Sequence, residues 1–329
     1  MTFLLLLMLS PNHIRQTGEQ EAGPRELPFS SITITGNETH AQILNKLQAT
    51  GNQVLDPGKL TEDDQRAPHS LSAGNYSFWK LLDAWCSASK LDFSLEQQGI
   101  TLRPASDTHS LLVAYHGPWR ARVLRRSSIA YEDPALDRFL LEVELMLEPR
   151  MVPLQASFQS QGRKTTVSFE GENRRLIEFR LPRPPREQQS WKQLVLQGEA
   201  WLCPGHLEIK LPLQVRSSTT QQGSQFTITQ MVPLLQDRIS VSTELLYPEG
   251  SFDWESHQAP MLQSMKLTLR QGQQTVNYRS REIQTDAGRR TTARWIFPKV
   301  TGAWEAQLWA PATPLKLPIE FVFAEVPLP

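Results

Sequence analysis

Cysteine is almost missing from this chain. Cys86 and Cys203 are the only two in 329 residues, which excludes a disulfide framework and a four-cysteine zinc site. One bridge is the most they allow. Because they fall in separate modules of the layout given below, two buried, reduced thiols are expected. An excess of either charge is missing too. Lysine plus arginine equals aspartate plus glutamate at 34 each, so no global positive field exists to hold a nucleic-acid backbone or an anionic membrane surface. Nucleic acid is therefore not an expected partner. The apolar stretch over residues 3–9 is far too short to span a bilayer, and no transmembrane segment is expected. Local signatures of chemistry are also absent: there is no G-x-S-x-G elbow, no H-E-x-x-H helix, no P-loop and no dinucleotide fingerprint. The expectation is a protein that is not an enzyme, with no catalytic, cofactor-binding or metal-ligating residues.

The length suits two or three domains rather than one core. With 24 prolines against 17 glycines, the chain reads as many short extended elements separated by stiff connections. Residues 1–28 read as a signal-like leader and linker. The apolar run has nearly the length of a signal-peptide core but lacks a charged start and a small-x-small cleavage site. A mis-assigned start codon would explain both, and a Leu-rich tail is the alternative.

Residues 29–105 form a small α/β head containing a half-repeat offset by 38 residues, from Gly36 to Gly74. In the first copy Ile32 and Ile34 alternate before Gly36-Asn37-Glu38-Thr39. Ile43, Leu44 and Leu47 then line a helix up to Gly51, and Val54 and Leu55 follow as a strand. In the second, Leu71 precedes Gly74-Asn75-Tyr76-Ser77, and Phe78, Leu81, Leu82 and Trp85 make the helical stripe before Leu91, Phe93 and Leu95. Thr39 with Gln42 has capping-box spacing, and Ser77 is placed to cap the second helix. Gly51 fits a left-handed helix stop, and Gly99 fits the turn of a hairpin between residues 93–95 and 100–102. Residues 56–70 read as a surface loop.

The pattern of strand, Asn-x-Ser/Thr and helix with Leu-x-x-Leu-like spacing, carried by residues 32–54 and 70–102, resembles the short N-terminal domain shared by secretins and TonB-dependent receptors. In those families the domain faces the periplasm and docks onto a partner protein, so the resemblance implies export and protein contact. Nothing after residue 105 resembles a secretin pore or a receptor barrel, and pore function is not implied.

Beyond about residue 110 the period changes to two. In Leu141-Glu142-Val143-Glu144-Leu145-Met146-Leu147 one face is apolar and the other charged, as in a strand with one side on a core. Residues 207–211, 266–270 and 317–323 repeat the device. Pro149, Pro153, Pro182, Pro212, Pro233, Pro248 and Pro298 punctuate these runs at positions that a central strand tolerates poorly. A weaker repeat, offset by 115 residues from Arg174-Arg175 to Arg289-Arg290, is close to one immunoglobulin-like domain in length. The fold class expected is mainly β with an α+β N-terminal domain: two tandem immunoglobulin-like β-sandwiches, at 106–217 and 218–329, after a two-helix head. This layout resembles a group of uncharacterised exported bacterial proteins, through residues 78–82, 141–149 and 318–329, and no activity comes with that resemblance.

Few residues stand out as candidates for function. Cys203-Pro204-Gly205-His206 puts two metal-ligand types on one turn, but two ligands do not make a site. Among nine tryptophans, Trp85, Trp191, Trp201 and Trp295 sit in apolar-periodic segments that read as core. Trp119, after His116-Gly117-Pro118, and Trp254, in a polar stretch, are the candidate surface rings for stacking or interface contact. Arg120, Arg122, Arg125 and Arg126, with Arg174-Arg175 and Arg289-Arg290, read as the solvated edges of strands. The functional expectation is a non-catalytic protein of the envelope or periplasm that meets one or more envelope proteins through its head and sandwiches. The alternative is a carbohydrate-binding module for wall or extracellular polysaccharide that stacks sugars on Trp119 or Trp254.

Overall fold

Residues 30–55, 71–96, 99–105, 112–131, 137–160, 163–169, 172–185, 188–249, 265–285 and 289–328 are described by a computed structural model of the chain. The expected loop at 56–70 lies outside them. In the head, β1 (Ser31–Ile34) turns Ile32 and Ile34 inward and leaves Ser31 and Thr33 exposed, the alternation a half-buried strand requires. α1 (His40–Gln48) begins at Thr39, whose side chain accepts from the Gln42 amide while the Gln42 side chain accepts from the Thr39 amide. This is the expected capping box, worth about 1 kcal/mol. Ala49 caps the other end, and Gly51 follows with φ of +84°, a region that costs glycine nothing.

β2 (Val54–Leu55), β3 (Gly74–Ser77), α2 (Phe78–Ala88), β4 (Leu91–Glu96) and β5 (Gly99–Pro104) complete the head. β1 pairs with β3 as a two-stranded sheet, while β2, β5 and β4 make a three-stranded one. α2 packs against strands of both. The half-repeat breaks down in its second copy. Gly74-Asn75-Tyr76-Ser77 is not a loop before a helix but the strand β3 itself, antiparallel to β1 with Ile32 opposite Tyr76. Ser77 makes no capping hydrogen bond. As the last residue of β3 it is held by the pairing with Ser31, and its buried Oγ has no partner.

After the head every described element is a strand. In chain order these are β6 (Val113–His116), β7 (Trp119–Ile129), β8 (Arg138–Leu147), β9 (Val152–Ser160), β10 (Arg163–Ser168), β11 (Arg174–Pro182), β12 (Ser190–Cys203) and β13 (His206–Pro212). The second series is β14 (Ser218–Gln221), β15 (Ser224–Leu234), β16 (Arg238–Leu246), β17 (Lys266–Gln271), β18 (Gln274–Asn277), β19 (Ser280–Thr285), β20 (Arg290–Pro298), β21 (Glu305–Pro311) and β22 (Leu315–Pro327). The fold is thus mainly β with a small helical head. Sheets ordered β11-β8-β7-β6 and β10-β9-β12-β22 enclose one core, with Trp119, Phe139, Phe158, Phe179 and Phe321 inside. Sheets ordered β14-β15-β16-β20-β19 and β13-β21-β17-β18 enclose a second, with Phe226, Tyr247, Trp295 and Phe297 inside.

The two sandwiches have the same strand order, apart from the extra β19, but each is completed by a strand from the other half of the chain. β22, the last strand, pairs with β12 in the first sandwich, and β13 pairs with β21 in the second. The contiguous domains expected at 106–217 and 218–329 therefore do not match the sheets. The sequence repeat marks the two series, while the sheets trade their final members. Residues 190–212 and 305–327 run antiparallel in one unbroken register. Ser190 lies opposite Pro327, Leu202 opposite Leu315, His206 opposite Pro311 and Pro212 opposite Glu305. At the crossover the Ala312 amide donates to the Gly205 carbonyl at 2.9 Å, so a single ribbon threads both cores.

Proline placement needs correction at two positions, and one is Pro233, which lies inside β15 opposite Ile239. Pro182, Pro212 and Pro298 do end strands, but Pro153 sits inside β9, which has neighbours on both sides. A register shift between Trp201 and Leu202 lies opposite it, and a bulge of this kind accommodates a residue without an amide proton.

Candidate functional site: the head–sandwich junction

Parity along β7 explains the most informative part of the molecule. Trp119, Ala121 and Val123 point into the first sandwich, so Arg120 and Arg122 point out of it. That outward face is covered by the head. Met146, opposite Arg120 on β8, is buried in the head's own core. From α2, Asp83 meets Arg120 through paired contacts at 2.7 and 3.0 Å, and the Tyr115 hydroxyl donates to the same carboxylate at 2.6 Å. Arg120 is 3% exposed and also lies over the Phe93 ring. Burial alone would lower its pKa, but the charge and hydrogen bonds of Asp83, with Tyr115 and Glu144, together hold it above the ordinary value. Burial and the Asp83 carboxylate push the Tyr115 phenol up. The Trp79 indole donates to the Pro118 carbonyl, at the turn between β6 and β7, at 2.9 Å.

A second set of contacts ties the other end of the head to the same sandwich. Glu148, just past β8, is fully buried and accepts from Ser30 Oγ, Asn52 Nδ2 and Arg150 Nε at 2.7, 3.3 and 3.0 Å. The Arg150 amide donates in turn to Asn52 Oδ1 at 3.0 Å. Charged groups taken out of water in this way need every partner in place, and removing one leaves the others stranded. The junction therefore fixes the head in one orientation.

Next to it, a cleft of about 530 Å³ lies between β1, the end of α1 and Arg150, lined by residues that include Ser31, Thr33, Lys46 and Thr50. Lys46 donates to the Thr33 carbonyl and to Glu38 at 2.8 and 2.7 Å. Burial would raise the Glu38 pKa, but hydrogen bonds from Lys46, Thr35 and Gly36 outweigh it and bring it to about 2. Glu38 is thus an anion at any neutral pH.

Elsewhere the expected candidates are dispersed. Trp119, expected at the surface, is fully buried and packs on Phe169, because it shares the parity of Ala121 and Val123. Trp254 lies outside the described residues. Trp85 and Trp295 are core, as expected, while Trp191 and Trp201 are half-buried. Cys86 and Cys203 are free and buried, one in the head and one in the second sandwich. Burial pushes both thiols up, which suits inert packing rather than nucleophilic use. Cys203 faces the core, whereas His206 stacks on Trp309 at 3.5 Å between ring centroids, so the two do not converge. Burial and the nearby Lys266 charge lower the His206 pKa to about 4. Among the described residues no group of three His, Cys, Asp or Glu could hold a metal.

The arginine clusters do not all sit at solvated edges. Arg120 is a junction residue, and Arg122 and Arg174 pair with the fully buried Glu144 at 2.6 and 2.5 Å. Arg125 and Arg126 are exposed, as expected. Sequence reasoning did not single out Lys46, Asp83, Glu148 or Arg150. The one available signal was Glu144 and Glu148 flanking an otherwise apolar run, where a buried acid requires a cation.

Comparison of the chain with protein-family models, with curated proteins and with solved structures gives no match. Among the described residues no helix is long and apolar enough to cross a membrane.

Proposed function

We propose that this chain is a non-catalytic protein of the cell envelope or periplasm whose head docks onto a partner protein while the paired sandwiches act as a stiff mount. The carrying observation is the one-sided fixation of the head. α2 and the Glu148 cluster hold it to the first sandwich. The polar face of α1, with Gln42, Asn45 and Gln48, and the outer face of β1 and β3, with Ser31, Thr33 and Asn75, remain exposed. Immobilising a module by one face and presenting another reduces the ordering cost of binding. The resemblance of the head to the short domain of secretins and TonB-dependent receptors supports the same reading and supports export. The polysaccharide alternative loses Trp119, whose ring has no exposed face.

The test uses the intact chain carrying a photo-cross-linker at Asn45, compared with the same group at Leu176 on the first sandwich, both exposed. Envelope extract is expected to give a discrete protein adduct from Asn45. Equal or exclusive capture from Leu176 would remove the head from the role.

A further inference from the structure

Among the described residues β1 has a neighbour on one side only. It pairs with β3, and its other edge borders the cleft lined by Ser31, Thr33, Lys46, Thr50 and Arg150. The Thr33 carbonyl marks that edge, since it accepts from Lys46 rather than from a strand. A bare strand edge is a template for another extended segment, and the walls decide which segments fit. Here the walls present two cations at the surface, each ion-paired with a carboxylate buried behind it. Glu38 and Glu148 are buried at 5% and 0% exposure, while the side chains of their partners Lys46 and Arg150 stay 35% and 22% exposed. Each carboxylate thus lies beneath the cation that a visiting chain would meet. The exposed hydroxyl-bearing residues Ser31 and Thr33 add polar contacts along the strand.

We propose that this cleft takes an extended, acidic segment of the partner protein, which adds to β1 as a third strand, an amide of that strand taking the place of Lys46 at the Thr33 carbonyl while its carboxylates lie beside Lys46 and Arg150. The proposal rests on the docking role of the head and names its site and ligand chemistry. Because Arg150 belongs to the sandwich and is pinned by Asn52 and Glu148, the cleft exists only while the junction is closed.

The test takes the full chain and a labelled peptide of alternating glutamate and valine, with binding read by fluorescence anisotropy and by hydrogen exchange of the β1 amides. Binding with slowed exchange at Ser31 and Thr33 is expected. N-methylation of alternate peptide amides removes two or more ladder bonds and is expected to weaken binding about tenfold or more. A lysine–valine peptide is expected to bind less well than the glutamate–valine one. Lys46→Gln should weaken the acidic peptide several-fold while leaving the near-ultraviolet circular dichroism unchanged. No binding, equal binding of the N-methylated peptide, or protection elsewhere in the head would overturn the proposal. If the peptide fails while Asn45 still captures an envelope protein, strand addition falls and the docking role stands. If both fail, both fall.

Discussion

At the scale of single residues, the energetics concentrate where no side chain or no partner can be spared. A Cβ at Gly198, in the middle of β12, would lie 2.0 Å from the Ser157 carbonyl of β9, and backbone on both flanks leaves nothing flexible to yield. Gly198→Ala is expected to destabilise the chain by about 1–3 kcal/mol, measured by urea unfolding. Arg120→Ala would strand Asp83 and Tyr115 at the junction, with an expected cost of about 3–5 kcal/mol. Thermal unfolding checks this, and Asp83→Asn combined with Arg120→Met should recover part of the loss. Glu38 has a pKa of about 2 against an ordinary value of 4.5. Its contribution is complete above the ordinary value and is lost as pH falls through about 2. Replacing it by glutamine should flatten the acid limb of head stability, as followed by Trp85 and Trp79 fluorescence between pH 5 and pH 2. Trp119 shows how much of the site was legible at this scale. Its parity with Ala121 and Val123 already assigned it to the core, whereas its Gly-Pro neighbours suggested an exposed turn. The strand's alternation prevails because a buried ring of that size stabilises far more than a turn preference does.

At the scale of elements, what could be read from sequence was what depends on neighbours in the chain. The capping box at Thr39 and the stop at Gly51 are local patterns and form as expected; the run over 141–147 does form a strand, but its second face, with Glu144 and Met146, is buried rather than solvated. Pairing partners were not legible, because a strand's period fixes its faces and leaves its neighbours open. β3 illustrates this: Gly74-Asn75 copies the loop of the first half-repeat, yet the free edge of β1 recruits it as a strand. Arg122, Glu144 and Arg174 read as a solvated face because nothing local shows that they meet in pairs around a buried carboxylate. β22, 13 residues long, is another element of this kind. Removing residues 312–329 should open the β12 edge and uncover Leu194, Leu196 and Leu202, all buried in the first core. Size-exclusion chromatography is expected to show aggregation of the shortened chain. A synthetic peptide covering 312–328, added during refolding, should restore a monomer.

At the scale of the whole molecule, the sandwiches are two cores expected to unfold as a single unit. Neither closes without a strand from the other series, and the shared ribbon has no break at which one could unfold and leave the other intact. Calorimetry is expected to give one transition covering both, where independent tandem domains would give two. A Gly-Ser spacer inserted after Gly205 is expected to lower cooperativity and separate the transitions, since it breaks the register at the crossover.

The same arrangement sets a timetable for biosynthesis. A nascent chain usually completes its first domain while later ones are still being made. Here the earlier sandwich must wait, with one flank uncovered, until residues 315–327, made after the whole second series, can reach β12. Until that strand is made, the β12 flank is an unpaired edge open to pairing with another chain.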